Sequence, residues 1–139
     1  MKSKLSSFKP YSVTLSVADI EAIANWYVEK LGFRVIQQKN YPEFNTALVF
    51  MEKNGFRVEL IKDGNAVSGV RRPDPPMHTT THGVSQFAFE SDDVAELKQE
   101  LIESGVLITW EFENDELGVK FIFIRDPEDN LIQFLQRLR

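Results

Sequence analysis

The chain has no cysteine. Disulfide staples and thiolate chemistry are therefore absent, the redox compartment cannot be read from cysteine usage, and any metal would have to be held by His, Glu, Asp or Gln. Histidine is scarce as well, with only His78 and His82 present. No apolar run approaches the roughly 20 residues that a membrane-spanning helix needs, so no membrane partner is expected. The stretch from Met1 to Lys9 lacks the apolar segment and small-residue cleavage site of a signal peptide, which gives a cytoplasmic expectation. Positive charge is in deficit: 16 Lys and Arg against 21 Asp and Glu leave a formal charge of -5. A nucleic-acid surface needs clustered Lys and Arg to neutralise phosphates, so no nucleic-acid partner is expected. The tight basic pair Arg71-Arg72 reads as a solvated loop.

What is present suits one globular domain. The 139 residues are 42% hydrophobic and 12% aromatic, enough to bury a core and short enough for a single compact unit spanning 1–139. From Tyr11 to Val17, apolar Val13, Leu15 and Val17 alternate with Ser12, Thr14 and Ser16, the period of a half-buried strand. Asp19 can then cap a helix whose apolar face is Ile20, Ile23, Ala24, Tyr27 and Leu31, ended by Gly32. Three strands follow, Phe33 to Gln38, Asn45 to Met51 and Phe56 to Ile61, the last two joined by a tight turn at Lys53-Asn54-Gly55. The first module, about residues 10–63, is β-α-β-β-β.

The pattern then repeats. Val84 to Glu90 alternates with Phe87 and Phe89 on one face. Asp92 or Asp93 can cap a helix carrying Val94, Leu97 and Leu101 that ends at Gly105. Leu107 to Phe112, Val119 to Arg125 and Leu131 to Leu135 supply three more strands, with a turn at Asp126 to Asn130. Asp19 to Asp93 and Glu59 to Gln133 share one offset of 74 residues. The second module is about residues 82–137, and the Pro- and Gly-bearing stretch of about 64–81 reads as a connecting loop. The fold class expected is α+β, two tandem βαβββ modules forming a curved open barrel. Alternation turns Ser12, Thr14, Ser16, Gln86, Ala88 and Glu90 away from the helix side, which makes a ligand cleft there the expectation.

The ordered tags Val17-Ala18-Asp19-Ile20, Trp26-Tyr27 with Leu31-Gly32-Phe33, Val58-Glu59-Leu60, Phe87-Ala88-Phe89 before Asp92-Asp93-Val94, and Asp126-Pro127 with Asn130-Leu131-Ile132 cover nearly the whole chain. On these residues it resembles the vicinal-oxygen-chelate superfamily of glyoxalase I, bleomycin-binding proteins and extradiol dioxygenases. The resemblance implies metal ligands on the first and last strand of each half, commonly His, Glu, His, Glu. Carried onto this chain, those positions are Ser12, Glu59, Gln86 and Gln133. One carboxylate, two amides and a hydroxyl are weaker donors than a tightly bound Zn²⁺, Ni²⁺ or Fe²⁺ receives. No resident cofactor is therefore expected, with weak divalent metal binding left open. The amides retain the capacity to hydrogen-bond an organic ligand. The resemblance also implies a homodimer. The turn departs from the family's usual Asp-Pro-x-Gly-Asn by carrying Asp129 in place of Gly, which Asp tolerates in the left-handed region.

Glu59, with Val58 and Leu60 facing the helix, is the candidate catalytic base or ligand counter-ion; its structural alternative is pairing with Arg57 or a nearby lysine. His78 and His82 have the i,i+4 spacing that binds zinc on a helix, but the surrounding Pro75-Pro76 and Thr79 to Thr81 favour loop histidines at a cleft mouth or subunit contact. Trp110 and Phe112, like Tyr41 and Phe44, complete either a core or dimer seam or a stacking wall for a flat ligand. Three roles follow. The first is a metal-free protein that binds or sequesters a small molecule, cationic or aromatic, through Ser12, Glu59, Gln86, Gln133, Trp110 and Phe112. The second is a metal-dependent or Glu59-based lyase or isomerase, and the third an interaction role with a vestigial cleft.

Overall fold

A computed structural model describes residues 3–139; within the Met1 to Lys9 stretch, Met1 and Lys2 lie outside the described residues. The chain divides into two compact units, Met1–Ala66 and Val67–Arg139.

The first unit comprises β1 (Ser12–Ser16), α1 (Ile20–Leu31), β2 (Arg34–Tyr41), β3 (Thr46–Lys53) and β4 (Phe56–Asp63). Its sheet has the order β1-β4-β3-β2, with β1 and β4 parallel and the other pairs antiparallel. The Asp19 side chain accepts the Ala22 N–H at 3.1 Å and so satisfies a donor that the first helical turn leaves unpaired. At the other end Gly32 adopts φ 74°, and its N–H turns back to the Tyr27 and Val28 carbonyls. Between these stops Ile23, Ala24, Tyr27 and Leu31 are buried, as are Val49, Met51, Val58 and Leu60 on the sheet strands α1 packs against. Lys53 pairs with Phe56 across a two-residue loop in which Asn54 and Gly55 have φ of 50° and 82°, the tight turn expected from the sequence.

The second unit repeats the design with β5 (Phe87–Glu90), α2 (Val94–Glu103), β6 (Trp110–Asn114), β7 (Val119–Arg125) and β8 (Leu131–Arg137), in the sheet order β5-β8-β7-β6. Asp93 caps α2 through the Glu96 N–H at 3.0 Å, and Val94 and Leu101 are buried together with Ile122, Ile124, Ile132 and Phe134. The internal repeat holds at the level of pairing. Thr14 faces Glu59 and Ala88 faces Gln133, so that both members of the pair recur at the 74-residue offset.

Two expected strands begin later than their composition suggests. The opening strand of the second half starts at Phe87, not Val84, because the segment before it is held otherwise: Arg72 donates to the carbonyls of Thr81 and His82, and Val84 is 85% exposed. The next starts at Trp110, not Leu107, which is 77% exposed. His82 is consequently not on a strand.

Candidate functional site

Each sheet has one face covered by its helix and one free of it, and alternation places the sequence-nominated residues on the free face. In the first unit Val58 and Leu60 are fully buried on the helix side, so Glu59 projects to the other side, half-buried. Across the strands its row is Thr14, Glu59, Phe50 and Gln37. The adjacent row is Ser12, Arg57, Glu52 and Arg34. Thr14, not Ser12, is therefore the direct neighbour of Glu59, and its hydroxyl donates to Oε2 at 3.5 Å. Ser12 is exposed and lies beside Arg57.

The expected structural alternative for Glu59, pairing with Arg57 or a lysine, does not occur among the described residues. Arg57 is drawn to Tyr11, donating from Nη1 to the phenol oxygen at 2.9 Å with its guanidinium carbon 4.9 Å from the ring centroid. Glu52, the cross-strand neighbour of Arg57, is paired with Arg34 at 3.2 Å.

In the second unit the equivalent row is Ala88, Gln133, Phe123 and Trp110, and the next is Glu90, Leu135, Phe121 and Phe112. Gln133 is half-buried; Gln86, just ahead of β5, is half-buried too, and its side-chain oxygen accepts from the Ser85 hydroxyl. Trp110 stacks on Phe112 at 5.4 Å and 17°, and meets Phe121 at 5.4 Å and Phe123 at 6.0 Å. Trp110 and Phe112, two of the four aromatics nominated from the sequence, thus belong to a four-ring wall beside Gln133. Phe112 remains 48% exposed at its edge. Phe121 and Phe123 went unnominated because their run reads as core; only the pairing register puts them next to Gln133. Tyr41 and Phe44 are exposed at the end of β2 and in the following single helical turn, so neither completes a core. A cavity of about 540 Å³ is lined by Val94, Lys98, Glu111, Lys120 and Ile122 and also by Phe112 and Phe121 of the four-ring wall.

His78 corrects the expectation of a cleft-mouth histidine. It sits in a single 3-10 turn, Met77–Thr79, 6% exposed, edge-on to Phe123 at 5.0 Å, and its buried Nδ1 has no hydrogen-bond partner among the described residues. Arg72, expected to be a solvated loop residue, is half-buried and clamps this segment by donating to the carbonyls of His78, Thr81 and His82. Burial first, then the Arg72 and Arg125 charges, push the imidazole below its ordinary value of 6.5, with the Pro76 carbonyl opposing in part. The unfolded chain therefore binds a proton more readily than the folded one. Stability is complete above about pH 6.5 and is lost as pH falls toward the folded value, by at most about 1.4 kcal/mol per pH unit. Denaturant midpoints between pH 8 and 5 should show this loss, and His78→Gln should flatten that part of the profile.

With this geometry in place, comparison with known proteins is decisive for the family. Residues 10–134 match the sequence model of the Glyoxalase/Bleomycin resistance protein/Dioxygenase superfamily. The chain belongs to this superfamily. It is 31% identical over 123 residues to the uncharacterized protein YwkD of Bacillus subtilis (strain 168), covering 85% of this chain and 88% of that protein. It is 25% identical over 124 residues to a lactoylglutathione lyase of Neisseria meningitidis serogroup A, covering 88% and 86%. Among solved structures, a glyoxalase family protein from Enterococcus faecalis superposes with a TM-score of 0.76 at 24% identity, covering 91% of this chain and 96% of that one.

Membership in the glyoxalase superfamily raises the question of a metal, and the donor set does not fit one held tightly. Glu59 stands with Thr14 as its neighbour, and the other family-equivalent positions supply a hydroxyl and two amides. Among the described residues no three of His, Asp and Glu gather where they could hold an ion. Nor is any described helix long and apolar enough to cross a membrane.

Proposed function

We propose that this protein binds an organic small molecule through the helix-free faces of its sheets, without a tightly held metal, in the manner of the bleomycin-binding branch of its superfamily. The observation that carries the reading is the replacement of three of four family ligand positions by Ser12, Gln86 and Gln133. These groups are poor metal donors but able hydrogen-bonding partners. The rings of Trp110, Phe112 and Phe121, backed by the buried Phe123, support an aromatic or flat ligand, because stacking rewards such a surface. By family resemblance the protein is a cytoplasmic homodimer, a stoichiometry that gel filtration reads directly.

A second reading is favoured by Glu59, whose carboxylate has no ion-pair partner among the described residues, and by the lactoylglutathione lyase name of the two Neisseria relatives. In it Glu59 is the acid-base group of a lyase or isomerase. The test is metal content of untagged protein, followed by thermal unfolding of chelated protein titrated with Ni²⁺, Zn²⁺, Mn²⁺ and Fe²⁺. The binding reading expects no stoichiometric ion and no saturable rise in Tm. A stoichiometric ion, or stabilisation lost in Glu59→Ala, overturns it in favour of the enzyme.

A further inference from the structure

Arg57 and Glu59 lie two residues apart on β4 and so project to the same helix-free face, with Cα atoms about 6.6 Å apart. Opposite charges so placed ordinarily neutralise each other or their neighbours. Here the described residues show neither in an ion pair. Glu52, the acidic neighbour of Arg57 across the sheet, is committed to Arg34. Tyr11 holds the guanidinium over its ring and takes one of its N–H groups, which draws it away from Glu59 and leaves other donor positions of the fork open. Glu59 in turn has only the long Thr14 hydroxyl contact. The strand thus presents a cation and an anion side by side and separately supported, with the half-buried ring of Phe50 next to Glu59.

We infer that this face of the first unit recognises a zwitterion of the α-amino acid type, its carboxylate on Arg57, its ammonium on Glu59 and its apolar side chain against Phe50. In an α-amino acid the two charged groups flank a single carbon, so one small molecule can meet both side chains at once. Each contact is a charge-assisted hydrogen bond, and the Arg57 fork suits a carboxylate in particular. The inference rests on the small-molecule binding reading and specifies its ligand: the charge complement is one of each sign, not the cation or plain aromatic expected from the sequence.

The probes are four compounds with one side chain: L-phenylalanine, L-phenylalaninamide, N-acetyl-L-phenylalanine and N-acetyl-L-phenylalaninamide, titrated into the full chain by NMR. L-Phenylalanine should bind about tenfold more tightly than either singly charged compound, and the neutral one most weakly. Arg57→Gln should bring phenylalanine down to the affinity of phenylalaninamide while leaving the amide itself unchanged. Glu59→Gln should abolish its advantage over the N-acetyl compound. A general structural defect would weaken all four alike, and that outcome overturns the assignment. Equal binding of phenylalaninamide and phenylalanine also overturns it, while leaving small-molecule binding intact. If none of the four binds, the zwitterion assignment falls and the binding reading is judged by the metal titration.

Discussion

Tyr27→Ala is expected to lower the unfolding free energy by about 3–5 kcal/mol and the thermal midpoint by roughly 10–20 °C. Tyr27 is fully buried and packs edge-on against Trp26 at 5.1 Å and Phe33 at 5.6 Å. Truncation removes a fully buried ring from the face of α1 that meets its sheet and leaves a cavity that the neighbouring rings can only partly refill. Against a typical total stability of about 5–15 kcal/mol, this loss is a large fraction. Tyr27→Phe, which keeps the ring packing, should recover most of it. Chemical denaturation of the two variants would check the result, and equal losses in both would place the energy in the hydroxyl instead of the packing.

Asp126→Ala should cost about 2–4 kcal/mol. Asp126 is 3% exposed, and its carboxylate accepts the backbone N–H groups of Glu128 and Asn130 and the Asn130 side-chain amide, at 2.9 to 3.0 Å. Alanine leaves three donors in a half-buried turn without their acceptor. Asp126→Asn keeps one acceptor oxygen but sets an amide against the Asn130 amide, so an intermediate loss is expected. The turn leads into β8, which carries Gln133, and Arg125 ties it down by donating to the Asp129 carbonyl at 2.9 Å. Asp129→Gly is the contrasting case. At φ 71° glycine relieves a left-handed strain, but the change gives up the exposed Arg71 ion pair at 3.2 Å, so stability should move by less than about 1 kcal/mol.

Much of the architecture was legible because it is written in local chemistry. Asp19, Asp93 and Gly32 act through neighbours a few residues away, and Asn54-Gly55 selects a tight hairpin by its backbone freedom alone. The apolar alternation of Val13, Leu15 and Val17 fixes which face meets the helix, and with it the outward direction of Glu59. The two late-starting strands were misread for the complementary reason. Val84 and Leu107 have strand-like composition, yet whether a residue joins a ladder depends on what lies opposite it, and Arg72 holds the segment just ahead of Val84 through the carbonyls of Thr81 and His82.

The candidate site divides along the same line. Sequence alone determined the residue types at the family's ligand positions, hence the poor metal donor set, because identity at a position needs no geometry. It also determined the repeat that makes Glu59 and Gln133 equivalent. Tertiary structure alone decided that Thr14 adjoins Glu59, that Tyr11 and not Glu59 holds Arg57, that Phe121 and Phe123 join Trp110 in one wall, and that His78 is buried on Phe123. Each of these contacts joins strands or loops distant in the chain. A one-residue change of strand register would turn every such side chain to the opposite face, so the contacts are settled only when the sheets pair.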